Sequence, residues 1–206
     1  MPMKGLLPTS TFMKAVLNKE KGLRSEQLVS QITVTDNISG TGLNFITDCA
    51  MNISPDLNAK KEILENAVYL ANKMGYNCPK VAILTAIETV NPVMQETIDA
   101  AILSKMNDRG QIKNCIVDGP FALDNAISQE SAMHKGIESD VAGRADILLV
   151  SDIRMGNVLH KAITYYANKP VGSVIIGTTV PLVMTSRSDS IEDKLISIAL
   201  SSYLVE

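Results

Sequence analysis

Short runs of β-branched and aliphatic residues recur along this chain, each leading into a longer stretch whose apolar residues fall three and four apart. "KVAILTA" precedes a helical pattern from about Pro92, "CIVDG" one from about Phe121, and "ADILLVSD" precedes "GNVLHKAITYYAN". "GSVIIGT" then leads through "PLVMTS" to a last helical pattern. Strand-length runs alternating with helix-length ones are the pattern of strands joined by crossover helices. Parallel strands need such crossovers because a tight turn cannot join them. The expected fold is therefore α/β, a doubly wound, mostly parallel sheet. In sheets of this kind ligands lie beyond the carboxyl ends of the strands.

The N-terminal part reads differently. Thr9 or Ser10 can cap a helix that buries Phe12, Met13, Val16 and Leu17 and stops at Gly22. "LVSQITVTD" and "LNFITDC", separated by the turn-rich "NISGTG", read as an antiparallel pair of strands. Asp56 opens a helix carrying Ile63, Leu64, Ala67, Val68 and Ala71, closed by Gly75 in a left-handed cap. The last helix is expected to bury Ile191, Leu195, Ile198 and Ala199 on one face. No linker, low-complexity segment or internal repeat interrupts the pattern.

Composition narrows the function. At 206 residues, 46% hydrophobic and 20% charged, the chain can bury a large core. A net charge of −3 with no basic block is no footprint for a phosphate backbone, so nucleic acid is not an expected partner. Small molecules are. No apolar run approaches a membrane span, and "MPMKGLLPTS" lacks the apolar core of a signal peptide, which implies a cytoplasmic protein without membrane contact. Cys49, Cys78 and Cys115 are odd in number and scattered, which suits reduced thiols rather than disulfides or zinc. With only His134 and His160 besides, no metal is expected.

Polar residues gather where strands should end: Thr47-Asp48-Cys49, Thr85 and Glu88, Asp118-Gly119-Pro120, Ser151-Asp152 and Thr185-Ser186-Arg187. Each could simply cap the next helix. "TSRSDSIED", Thr185 to Asp193, is the most informative. Arg187 there precedes a helix start whose free N–H groups and positive dipole end suit an anion, and a guanidinium fork beside hydroxyls can grip a phosphate. Equally, Ser190 and Asp193 have the spacing of a capping box, and Arg187 could pair with a carboxylate. Spacing alone leaves both readings open.

Across nearly the whole chain, "MKGLLPTSTFMKAVL", "ITDCAMNISPDL", "AIETVNP", "IVDGPFALDNAIS", "ADILLVSDIRMGN" and "VPLVMTSRSDS" follow one another in the order of a known family. The chain resembles the phosphate acyltransferases, and within them the phosphate butyryltransferase branch. That resemblance implies a reversible exchange in which acyl-CoA and inorganic phosphate give acyl phosphate and CoA by direct attack in a ternary complex. It implies coenzyme A and phosphate as substrates, no permanently bound cofactor, and a homodimer or larger homo-oligomer. It also implies a two-domain architecture like that of isocitrate and isopropylmalate dehydrogenases, with residues 1–27 and 177–206 forming the remainder of a first, discontinuous domain and residues 28–176 the second. The resemblance begins after the family's N-terminal third. A parallel sheet without its neighbours exposes an apolar face and open edges, so another segment or chain is expected to cover them.

Carried onto this sequence, the resemblance makes Ser186 and Arg187 the pair that binds the phosphoryl group and steadies charge on the carbonyl oxygen. Asp193 matches an aspartate that takes the CoA thiol proton in acetyl-type relatives, with Asp189 and Glu192 as competitors. A thiol with a pKa of about 8.5 needs such a base within reach. Cys49 matches a cleft cysteine and is read as positioning, not nucleophilic. Arg24 would be a second anion-binding arginine, and Thr9, Ser10 and Thr11 would lie near phosphate. Asp48, Asp152, Gly156, Asn157 and Thr185 complete the implied substrate cleft. In "SDIRMGN", Ser151 stands where the family carries proline, and Arg154 and Met155 replace an acid and a small residue. Two other readings stay open: a phosphate acetyltransferase, and a non-catalytic module that binds CoA or acyl phosphate or serves assembly. A dehydrogenase-like relative is disfavoured because no GxGxxG turn is present.

Overall fold

A computed structural model describes residues 1–37 and 41–205. The centre of the turn-rich "NISGTG" stretch, residues 38–40, lies outside them. The chain opens with α1 (Thr9–Val16), then β1 (Ser30–Asp36), β2 (Leu43–Thr47), α2 (Leu57–Lys73), β3 (Lys80–Leu84) and α3 (Gln95–Asp108). There follow β4 (Ile116–Phe121), α4 (Leu123–Ile127), α5 (Gln129–His134), β5 (Ile147–Leu149), α6 (Ile153–Tyr165), β6 (Gly172–Ile176) and α7 (Ile191–Tyr203). The strands form one sheet in the order β4-β3-β5-β2-β1-β6. Neighbours are parallel from β4 through β2, while β1 runs antiparallel to both β2 and β6. The fold is thus mixed α/β around a mostly parallel sheet, and β1 and β2 form the antiparallel pair their sequences suggest.

Side-chain alternation sorts the core onto two faces. Phe45, Val81, Ile83, Ile147 and Leu149 pack with α2 and α3 on one face. Ile46, Ala82, Leu84 and Leu148 pack with α4, α5 and α6 on the other. Central strands sandwiched this way must be apolar on both sides, which is why they read as unbroken hydrophobic runs. β1 is the exception. Ile32 and Val34 join the first core, whereas Gln31, Thr33 and Thr35 are buried polar residues on the opposite face. That polar face shapes the site described below.

Caps behave as local chemistry dictates at α2, where Asp56 accepts from Ala59 N at 2.8 Å and Gly75 follows the C-cap with φ +94°. They do not at α1. Thr9 is the first helical residue, Pro8 is the N-cap, and no side chain caps the helix, which ends at Val16 rather than at Gly22. Proline fixes an extended entry to the helix, which draws Thr9 into the first turn.

The face of α7 is also corrected. Ile191 is 78% and Leu195 61% exposed, Ala199 is exposed and Ile198 half-buried, while Asp193, Ser197, Leu200 and Ser201 are buried. Hydrogen bonding decides this. β6 is an edge strand of the sheet, and α7 satisfies its free N–H groups: Ser173 N donates to Ser197 Oγ at 2.9 Å, and Val171 N just before the strand donates to Asp193 Oδ1 at 2.9 Å. Leaving such groups unpaired would cost more than exposing two aliphatic side chains.

α6 approaches the turn after β2 through Gly156. A Cβ at this position would lie 2.3 Å from the Asp48 carbonyl oxygen. An alanine inside a helix normally gains up to about 1 kcal/mol over glycine. For Gly156→Ala we expect the opposite sign, a loss of about 1–3 kcal/mol from overpacking. Equilibrium denaturant unfolding measures it, and a stabilised variant would contradict the close approach.

Candidate active site

A cavity of about 240 Å³ opens beyond the polar face of β1. Six separate parts of the chain build it. The N-terminal segment and α1 contribute Lys4 and Thr9, β1 contributes Gln31, and the turn after β2 contributes Cys49. α6 contributes Asn157, His160 and Lys161, β6 contributes Ser173, and the segment before α7 contributes Thr185, Ser186, Arg187 and Asp189. Of the residues expected at a site, this brings together Thr9, Cys49, Asn157, Thr185, Ser186 and Arg187.

The turn carrying Arg187 is closed on itself. Ser186 N donates to Asp189 Oδ2 at 2.6 Å, Asp189 N donates to Ser186 O at 3.2 Å, and the Ser186 and Ser188 hydroxyls lie 3.0 Å apart. Arg187 sits at the exposed tip, and among the described residues no carboxylate forms an ion pair with it. Its guanidinium is left for a ligand.

Charge in this cavity is unbalanced. Lys4 is only 5% exposed, and its ammonium meets two main-chain carbonyls, Gly5 O at 3.3 Å and Leu7 O at 3.4 Å, and no carboxylate among the described residues. Lys161 reaches Asp189 Oδ1 at 3.9 Å. Three cations thus line the cavity with one carboxylate, Asp189, which the turn and Lys161 already share. A buried ammonium without a counter-charge is costly, and a bound anion removes the cost. A larger cavity of about 420 Å³ lies between α2 and Thr178–Pro181, but Glu62 and Glu65 line it without any cation. The smaller one carries the positive charge that suits an anion.

The floor is neutral. His160 is buried, with Nδ1 3.1 Å from Thr33 Oγ1, which lies 3.4 Å from Ser173 Oγ. Burial, and then the neighbouring Lys161, push the imidazole below its ordinary 6.5, against smaller upward pulls from Asp189 and Asp193. Burial likewise pushes the Cys49 thiol up to about 12, so it stays protonated at neutral pH and does not act as a thiolate nucleophile. Gln31 is 6% exposed, and its Oε1 has no partner among the described residues.

Other expected residues do structural work outside the cavity lining. Asp48 Oδ1 accepts from Gln31 N, Ala50 N and Met51 N, and Oδ2 from Asn52 N and Nδ2. Burial raises its pKa and those bonds oppose the rise. Asp152 caps α6 and pairs with Arg154, whose guanidinium holds the carboxyl below its usual range. Gly156 permits the helix contact already described. Arg24 is exposed and bridges Thr178 through its main chain, and Ser10 and Thr11 lie exposed on α1.

Asp193 is a cap. Its Oδ2 accepts from Ser190 N at 3.1 Å and Ser190 Oγ at 2.7 Å, and its Oδ1 accepts from Val171 N. Burial raises its pKa, but these bonds outweigh it and leave the carboxyl below the usual value. It lines a different cavity, with Ser190 and Glu192. The N-terminus of α7 therefore already holds its own carboxylate. Lys4, Gln31, His160 and Lys161 escaped sequence reasoning because nothing in linear spacing marks residues that converge from the chain terminus, β1 and α6.

A family model described as "Phosphate acetyl/butaryl transferase" matches residues 1–202. A Bacillus subtilis protein named "Probable phosphate butyryltransferase" is 54% identical over 199 residues, covering 97% of this chain and 67% of the relative. The phosphate butyryltransferase of Clostridium beijerinckii is 50% identical over 204 residues, 99% of this chain and 68% of that one. The crystal structure of a branched-chain phosphotransacylase from Enterococcus faecalis superposes with a TM-score of 0.90 at 37% identity, covering 99% of this chain and 73% of that one. The chain thus spans about two thirds of the length of the curated relatives it matches.

Asp193→Ala leaves the Ser190 cap on the residue-193 N–H but removes the reciprocal half of the capping box, worth about 1 kcal/mol, and strands the buried Val171 N–H at a cost of about 1–3 kcal/mol. Denaturant unfolding near neutral pH should therefore show a loss of about 2–4 kcal/mol. Because the folded carboxyl titrates below its ordinary 3.8, its contribution is complete above that value and is lost as pH falls through the lower one. The gap between the two proteins should narrow only in that acid range; a gap that closes near neutrality would contradict the cap.

Proposed function

The chain belongs to the phosphate acetyl/butyryl transferase family, and from that premise we propose that it exchanges short acyl groups between CoA and phosphate: butyryl-CoA and inorganic phosphate give butyryl phosphate and CoA, reversibly. The observation that carries this reading is Arg187, exposed at the tip of its turn with no ion pair among the described residues, lining one cavity together with the buried Lys4, which has no carboxylate partner among them. Together they suit the oxygens of a phosphoryl group, with Arg187 able to bind two oxygens at once. The Ser186 hydroxyl stands beside Arg187 to donate to the acyl carbonyl oxygen as negative charge grows there. Asn157 and Thr185 supply further polar contacts, and protonated Cys49 offers an uncharged wall.

Preference for butyryl or branched short chains is supported by the names of the two relatives and of the Enterococcus structure. In this reading CoA and phosphate are substrates, no cofactor stays bound, and the protein works in the cytoplasm as a homo-oligomer. No helix among the described residues is long and apolar enough to cross a membrane. In the same reading residues 1–27 and 177–206 form one unit and residues 28–176 the second, with α7 docked across the division on β6. This division is supported by the main-chain pairing of Lys4 with Val183 and of Arg24 with Thr178.

CoA release from butyryl-CoA in the presence of phosphate tests the proposal. Arg187→Ala should lower turnover by about 100-fold or more while leaving the unfolding midpoint unchanged, because the side chain is exposed. Turnover that survives the substitution would sink the role of Arg187. A chain that binds CoA and turns nothing over would favour a binding module instead.

A further inference from the structure

Transfer of an acyl group from acyl phosphate to CoA requires something to take the thiol proton. Both oxygens of Asp193 cap α7 and Val171, and Glu192 opens onto the other cavity. Cys49 is held protonated. Among the described residues that line the cavity, two titratable side chains keep an acceptor outside any hydrogen bond: Asp189, whose Oδ2 closes its turn while Oδ1 faces the Lys161 ammonium at 3.9 Å, and His160 through Nε2. Of the two, a neutral imidazole is the stronger base for a thiol proton than a carboxylate facing an ammonium.

We propose that His160 is this base, with Thr33 and Ser173 holding its ring. Nδ1 lies 3.1 Å from Thr33 Oγ1, and no protein group among those described hydrogen-bonds to Nε2 of this cavity-lining ring. With the proton on Nδ1 donated to Thr33, and the Thr33 hydroxyl donated to Ser173 Oγ at 3.4 Å, Nε2 is left as the acceptor. The hydroxyl pair accommodates this tautomer and holds the ring, and unlike the carboxylate of other catalytic histidines it adds no negative charge to a cavity built for an anion.

In the direction of acyl-CoA formation, Nε2 takes the proton from the CoA sulfur as sulfur bonds to the acyl carbon. The bond from that carbon to the phosphate oxygen breaks, and its electron pair leaves with phosphate, held by Arg187 and Lys4. In reverse, the imidazolium returns the proton to the departing thiolate. The charged groups around the ring are Lys161 on α6, Arg187 and Asp189 in the turn before α7, Asp193 on α7, Lys4 from the N-terminal segment, and the neutral Cys49 thiol after β2. Burial and Lys161 keep His160 unprotonated, and so competent as a base, to below its ordinary 6.5.

This inference rests on the transferase reading, and its test separates the two. The pH dependence of kcat and of kcat/KM for acyl-CoA formation from butyryl phosphate and CoA is measured for the unaltered chain and for His160→Gln. The unaltered chain should lose kcat/KM, which reports the free protein, on the acid side with a midpoint below 6.5. His160→Gln should lower kcat by about 100-fold and abolish that acid limb, with KM for butyryl phosphate within about threefold. Thr33→Val, which keeps the shape and removes only the hydroxyl, should lower kcat by about tenfold and displace the limb; it carries the test if His160→Gln does not fold. An undiminished kcat and a retained limb in either folded variant would overturn the role of His160 alone. Absence of turnover in the unaltered chain would overturn the transferase reading and this one with it.

Discussion

The Asp48 carboxylate is the joint on which the site turns. Five hydrogen bonds converge on its two oxygens, from Gln31 N in β1 and from Ala50, Met51 and Asn52 in the turn after β2. A buried carboxylate pays a large desolvation cost, and only this many donors can offset it. By meeting that requirement the turn is fixed against β1. Cys49 is then held in the cavity wall, and a flat surface is left onto which α6 packs through Gly156. The placement of His160 and Lys161 follows from that contact.

A second constraint comes from the sheet edge. β6 needs donors satisfied on its open side, and α7 supplies Asp193 and Ser197 for this purpose. The same carboxylate completes the capping box with Ser190. Asp193 thus serves the architecture, and in the mechanism we propose proton transfer falls to the neutral His160. One face of α7 remains apolar and exposed as a consequence of this docking.

Much of the fold was legible from the chain alone. The continuous apolar runs identified β3 and β5 because central parallel strands are buried on both faces, and β6, an antiparallel edge strand, because it too is buried along its whole length; Asp56 marked α2 because a cap is a local event. The α7 face was not legible: periodicity pointed to Ile191 and Leu195, but the deciding contacts are long-range hydrogen bonds to β6. At the site, Ser186 and Arg187 could be singled out because they adjoin in sequence, and the family resemblance made the choice between cap and ligand. Lys4, Gln31 and His160 could not, because their importance arises from convergence and from partners they lack. In "QITVTD" the polar alternation of β1 is visible, yet it reads as an ordinary half-exposed strand rather than a buried polar wall.

In the proposed mechanism one cavity holds the phosphoryl group between Arg187 and Lys4. Calorimetric titration of the unaltered chain, Arg187→Ala and Lys4→Met with inorganic phosphate tests it without recourse to turnover. The account predicts one phosphate per chain, weakened by added salt and by about tenfold or more in each variant, the usual cost of losing a charge-assisted hydrogen bond. Phosphate affinity that is the same in all three proteins would contradict it.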